Sequence, residues 1–216
     1  MISRRQFLQI TGAGAAGLLT GSMTSLISAG RANAAGQASS EFTPDLDIDL
    51  KASADTIQIL PGSPTSVWRF QGQLLKGDRA SLVDIERSYL GPIIRVRTGQ
   101  KVRIRFTNQI ADQTIVHWHG LHVPADMDGH PRLVIPRGET YVYEFEVRNR
   151  AGTYWYHPHP HGLTGPQVYG GLAGLFLVSD DEEKAAGLPA GEYDIPLVLQ
   201  DRAFDRNNQL VYLSGH

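Results

Sequence analysis

Seven of the eight histidines in this 216-residue chain fall between His117 and His161. They are paired: His117-Trp118-His119-Gly120 and His157-Pro158-His159-Pro160-His161-Gly162 each set imidazoles one residue apart. In a β-strand, residues i and i+2 project from one face, so each His-x-His would present two rings side by side and send Trp118 to the opposite face. If the two strands are neighbours, about 5 Å apart, the imidazoles of His117, His119, His157 and His159 converge. Neutral imidazole nitrogens in such a cluster suit copper, zinc, nickel or iron, and spacing alone does not choose among them. A single His-x-His is weak evidence. Two, each ending against Gly or Pro and both within 45 residues, point to a metal.

The elements that must position these rings read as strands. Residues 45–50 alternate strictly, with Leu46, Ile48 and Leu50 on one face and acids on the other. The same period of two recurs at 101–106, with Val102, Ile104 and Phe106 inward and Lys101, Arg103 and Arg105 outward, and again at 141–147. Further strand candidates are 65–70, 92–97, 114–119, 153–157 and 172–178, and Gly and Pro punctuate between them. Short strands at that spacing, with almost no helical periodicity, predict an all-β antiparallel sandwich or Greek-key barrel. One short helix is expected at 180–186, with acids in its first turn and Gly187 as its stop. After Leu188-Pro189-Ala190-Gly191, the apolar run 194–200 reads as another buried strand. The expected organisation is therefore a signal peptide at 1–34, a β-domain at 44–179, a linker at 180–192 and, at 193–216, the first strand of a second domain that the chain does not complete.

The segments Thr114-Ile-Val-His-Trp-His-Gly-Leu-His-Val-Pro124 and Gly152-Thr-Tyr-Trp-Tyr-His-Pro-His-Pro-His-Gly162 resemble the first and second copper-binding motifs of multicopper oxidases, the family of laccases, ascorbate oxidase, bilirubin oxidase and bacterial cuprous oxidases. The resemblance runs from about residue 45 to 212 and includes Gly170-Gly171-Leu-Ala-Gly-Leu and Val198-Leu-Gln-Asp201, where the family's second domain opens. It implies a cupredoxin-like (plastocyanin-like) fold and a copper cofactor. His117 would ligate the type 2 copper, His119 and His157 one type 3 copper, and His159 the other. Asp128, in the loop Ala125-Asp-Met-Asp-Gly129, falls where bacterial members carry an outer-shell acid that relays protons to reducing oxygen.

The departures from the family are as informative. Its last domain supplies four more histidines in a His-Cys-His arrangement whose Cys also binds the type 1 copper. This chain has no cysteine, and only Met127 remains outside the signal region. It can hold at most half of an oxygen-reducing cluster and none of the substrate-oxidising site. The absence of Cys also removes disulfides, Cys-ligated zinc, iron-sulfur clusters and thiolate nucleophiles.

Ser3-Arg4-Arg5-Gln6-Phe7-Leu8, the Gly/Ala/Leu-rich stretch that follows and Ala32-Asn33-Ala34 resemble a twin-arginine signal with its cleavage site, which exports folded, often cofactor-loaded proteins to the periplasm or beyond. An ordinary secretory signal is the alternative, and the glycines and hydroxyl residues in the stretch argue against a membrane anchor. Cleavage after Ala34 would remove three arginines and leave 17 basic residues against 22 acidic ones. With no Lys/Arg block, nucleic acid is not an expected partner. Several residues take plain readings. His122 and His161 fall outside the ligand pattern, His130 is a loop residue and His216 is terminal. Trp118, Tyr154, Trp155 and Tyr156 are expected to pack on sheet faces, and Arg103 and Arg105 to line a solvated one.

Two functions follow. In the first, the chain is the N-terminal cupredoxin domain of a laccase-type oxidase that couples oxidation of a phenol, aromatic amine or metal ion to reduction of O2, completed by missing C-terminal domains and exported by the Tat machinery. In the second, it is a stand-alone, non-catalytic exported copper-binding module. A copper-free cell-division relative of the family would not be expected to keep both His-x-His pairs.

Overall fold

The computed structural model describes residues 36–213; the signal, its cleavage site and His216 lie outside the described residues. Among the described residues, nine strands form two sheets. In chain order they are β1 (Leu46–Ile57), β2 (Thr65–Lys76), β3 (Leu82–Val83), β4 (Ile93–Arg97), β5 (Lys101–Asn108), β6 (Val116–His119), β7 (Thr140–Glu146), β8 (Gly152–Pro158) and β9 (Gly174–Ser179). The strand orders are β2-β1-β5-β7 and β3-β4-β9-β8-β6, an all-β Greek-key sandwich as the alternating pattern predicts. Every expected strand up to β9 is present. Two pairings, β1 with β5 and β4 with β9, are parallel rather than antiparallel, because the chain crosses between sheets before returning beside an earlier strand.

Register explains the core. Leu46, Ile48 and Leu50 stand beside Val102, Ile104 and Phe106, which in turn face Phe145, Tyr143 and Tyr141 across β7. On the other sheet Ile94 pairs with Phe176 and Val96 with Val178. Trp118 is fully buried between the sheets, its ring 5.0 Å from Tyr143 and 6.0 Å from Phe176. Tyr156 beside it lies across Gly174, where a Cβ would come within 2.1 Å of its ring, and its hydroxyl donates to the Pro92 carbonyl at 2.7 Å. That glycine thereby lets β8 seat closely against β9.

Arg103 does not line a solvated face, while Arg105 stays 30% exposed. Arg103 donates to Glu144 at 2.6 Å and lies 3.6 Å from Asp47, which also pairs with Arg105. Arg103 and Glu144 also hold the residues before β1, through the Ser39 and Phe42 carbonyls and the Ser39 N–H, so an extended strap covers Arg103.

The expected helix is α2 (Asp181–Ala185), capped by Asp180, whose carboxylate accepts from the Glu183 N–H at 2.8 Å. Helix α1 (Thr164–Tyr169) is absent from the sequence reading, since six residues are too few to show a helical period. Residues 194–200 form no strand: Ile195, Leu197 and Leu199 are 78%, 78% and 86% exposed, with no partner strand among the described residues. Residues 203–211 instead fold into a small hairpin, bridged at Phe204 and Leu210, whose Asn208 donates to the Pro61 and Ser63 carbonyls.

Candidate metal centre

β6 and β8 are adjacent and antiparallel, with His117 opposite His157 and His119 opposite Trp155. Pairing at this register turns two motifs distant in sequence into one patch. Trp118 points into the core and the flanking histidines to the other face, as period two requires. The candidate donor atoms of His117, His119 and His157 all lie within 4.8 Å of one another. His159, just beyond the end of β8, brings its ring to 5.1 Å from that of His117.

The hydrogen bonds decide which nitrogen each ring offers. The His117 Nδ1 lies 2.7 Å from the Asp128 carbonyl oxygen, which can only accept, so Nδ1 carries the proton and Nε2 keeps its lone pair. The Asp128 carboxylate is 3.2 Å from the same Nδ1. The His157 Nδ1 likewise faces the Pro158 carbonyl at 2.9 Å, freeing its Nε2. That Nε2 is 3.2 Å from the Nδ1 of His119, close to the separation of two nitrogens bound to one ion with bonds of about 2 Å. The His159 Nδ1 is buried without any partner. Converging lone pairs beside an orphaned nitrogen, with carbonyls orienting the outer nitrogens, fit a copper-type site.

Burial, reinforced by His117, His119 and His159, lowers the His157 pKa to about 4, although its bond to Pro158 opposes the shift. Burial and His117 lower that of His159 as well. Both rings are therefore neutral near pH 7, the form that ligates.

The remaining histidines among the described residues stay outside the cluster. His122 and His161 are exposed, and His130 accepts from the Arg132 N–H at a loop end. Trp155 departs from its expected packing role: its ring stacks 4.2 Å from His157 and 5.1 Å from His119. Only register could have shown the contact with His119, which lies directly opposite Trp155, whereas period two already puts Trp155 on the face of His157 two residues on.

The family profile described as "Multicopper oxidase" matches residues 56–183, and a twin-arginine translocation signal profile matches residues 1–21. The chain is 37% identical over 132 residues to multicopper oxidase mco of Staphylococcus aureus, which covers 61% of this chain and 30% of that protein. It is 33% identical to a laccase of Bacillus stratosphericus, over 70% of this chain and 32% of the relative. It is also 32% identical to the cell division protein FtsP of Shigella dysenteriae, over 94% of this chain and 40% of the relative. The McoA multicopper oxidase of Aquifex aeolicus superposes with a TM-score of 0.66 at 37% identity, covering 80% of this chain and 36% of that one. The chain thus spans 30 to 40% of the length of these relatives. The twin-arginine signal directs export to the periplasm or beyond. With a family profile covering more than half of its length, and a fold to match, the chain belongs to the multicopper oxidase family.

Proposed function

We propose that this chain is the copper-binding N-terminal part of a laccase-type multicopper oxidase and contributes half of the trinuclear cluster that reduces O2 to water. The observation that carries this reading is the convergence of the His117, His119 and His157 donor atoms within 4.8 Å. His117 holds the type 2 position through Nε2, His119 and His157 share one type 3 ion through Nδ1 and Nε2, and His159 serves the other. Copper, when bound, supplies the electron-transfer chemistry. The protein's part is to hold neutral imidazoles in fixed tautomers and to bring protons in. Asp128 suits the second task, with its carboxylate 44% exposed yet 3.2 Å from the His117 ring. The type 1 ligands and the other cluster histidines come from outside these residues. Within this reading 180–192 is the linker and 193 onward begins the next cupredoxin domain. The substrates are phenols, aromatic amines or reduced metal ions.

The mature chain should take up copper yet show no blue absorption near about 600 nm, since no Cys ligand is present. It should not oxidise a phenolic dye. Substituting both His117 and His157 by Ala should abolish uptake; unchanged copper stoichiometry by elemental analysis would refute the ligand assignment. The second reading is a stand-alone, non-catalytic exported copper-binding module, and the 94% alignment with a cell division protein shows that not every relative is named an oxidase. Copper uptake without dye oxidation by the complete protein would select it, and failure of the wild-type chain to bind copper would refute both readings.

A further inference from the structure

We propose that Tyr143 and Gly129 are positioning residues for His117, closing the free edge of β6 so that the 125–129 loop brings the Asp128 carbonyl onto the His117 Nδ1–H. The functional consequence rests on the copper reading above. Among the described residues, β6 is the last strand of its sheet and pairs only with β8. The backbone groups of Val116 that face away from β8 are buried, where an unpaired N–H or C=O is costly. One hydroxyl from the opposite sheet meets both. The Val116 N–H donates to the Tyr143 Oη at 3.0 Å, and the Tyr143 hydroxyl donates to the Val116 carbonyl at 2.9 Å. Burial raises the Tyr143 pKa well above its ordinary value, so the phenol keeps its proton and both bonds persist.

Gly129 seals the same edge. Its φ is +68°, and a Cβ there would fall 1.9 Å from the Val116 carbonyl oxygen, so only a residue without a side chain lets the loop lie this close. The residue before it is Asp128, whose carbonyl holds the His117 Nδ1 at 2.7 Å. Tyr141, ring-to-ring 4.9 Å from Tyr143, adds a third anchor by donating its hydroxyl to the Asp126 carbonyl. Two tyrosines on one strand therefore splint the loop and the histidine strand together. The protonated nitrogen of His117 is fixed, and its Nε2 is left for metal.

The test is nitrogen NMR of the imidazoles in the metal-free, 15N-labelled chain, followed by copper titration. Wild-type His117 should be a single Nδ1–H tautomer. Tyr143→Phe should show both tautomers and weaken copper binding roughly 10- to 100-fold, the usual effect of losing an outer-shell orienting contact. The control is Ile48→Val, a core change on β1, which β5 separates from β7; at comparable loss of Tm it should retain the single tautomer and wild-type affinity. A single tautomer in Tyr143→Phe, or equal scrambling in the control, overturns the proposal. If Tyr143→Phe does not fold, Tyr141→Phe, which removes only the loop anchor, should still mix the tautomers, and failure to do so is equally fatal. A wild-type chain with a locked His117 but no copper uptake would defeat the copper reading and leave the positioning role standing.

Discussion

At the residue scale, the least anticipated contact is the stacking of Trp155 on the imidazoles of His157 and His119. Apart from its approach to His157, no hydrogen bond among the described residues orients the His119 ring, so the indole face is the principal support for its plane. Trp155→Ala should weaken copper binding about tenfold, in the lower range for outer-shell partners, while Trp155→Phe keeps most of it. Trp155 also provides an optical reporter, because among the described residues it is the tryptophan whose ring lies against the clustered histidines. Cu(II) should quench the fluorescence of the wild-type chain, and Trp155→Phe should abolish most of the quenching. Quenching of unchanged size in that variant would mean the ion binds elsewhere. The four histidines were legible in the sequence because His-x-His spacing and strand geometry act over three residues. The contact of Trp155 with His119 and the roles of Tyr143 and Gly129 were not, because they depend on which strand and loop lie beside β6, information carried by register rather than by any local pattern.

At the scale of elements, the same limit explains what the strand pattern conveyed. Period-two alternation exposes the inward face of each strand, so the cores of β1, β5 and β7 were readable residue by residue. The outward face depends on what covers it. Arg103 and Arg105 look like solvent-facing charges in isolation, yet Arg103 is only 11% exposed because the 36–42 strap and Glu144 close over it. Most of this network is withheld from water, so removing one member leaves charges without partners. Arg103→Ala should therefore cost about 3 kcal/mol, well above the yield of a surface pair. It should also raise amide exchange at Ser39 and Phe42 ahead of the sheet. A loss below about 1 kcal/mol in denaturant unfolding, with protected strap amides, would show that the network is as weak as an exposed one.

At the scale of the whole molecule, the segment 194–200 is held at its ends and bare in its middle. Asp194 pairs with Arg95 at 3.3 Å, and Gln200 accepts from the Tyr89 hydroxyl at 2.7 Å. Between these anchors Ile195, Leu197 and Leu199 alternate toward solvent at 78%, 78% and 86% exposure. An apolar, alternating stretch with unpaired backbone groups is a template for pairing with another chain. The strand pattern seen in the sequence is thus sound as chemistry but unmet in the structure, since a strand exists only once a neighbour supplies its hydrogen bonds. The purified chain should accordingly self-associate as its concentration rises, in light scattering coupled to size-exclusion chromatography. Replacing Leu197 and Leu199 together by Lys should shift it to monomer and raise its solubility several-fold. Copper stoichiometry should not change, because the segment contributes no residue to the histidine cluster. If the double variant associates as strongly as the wild type, the sticky surface lies elsewhere, and the apolar run has no role in holding this domain to another.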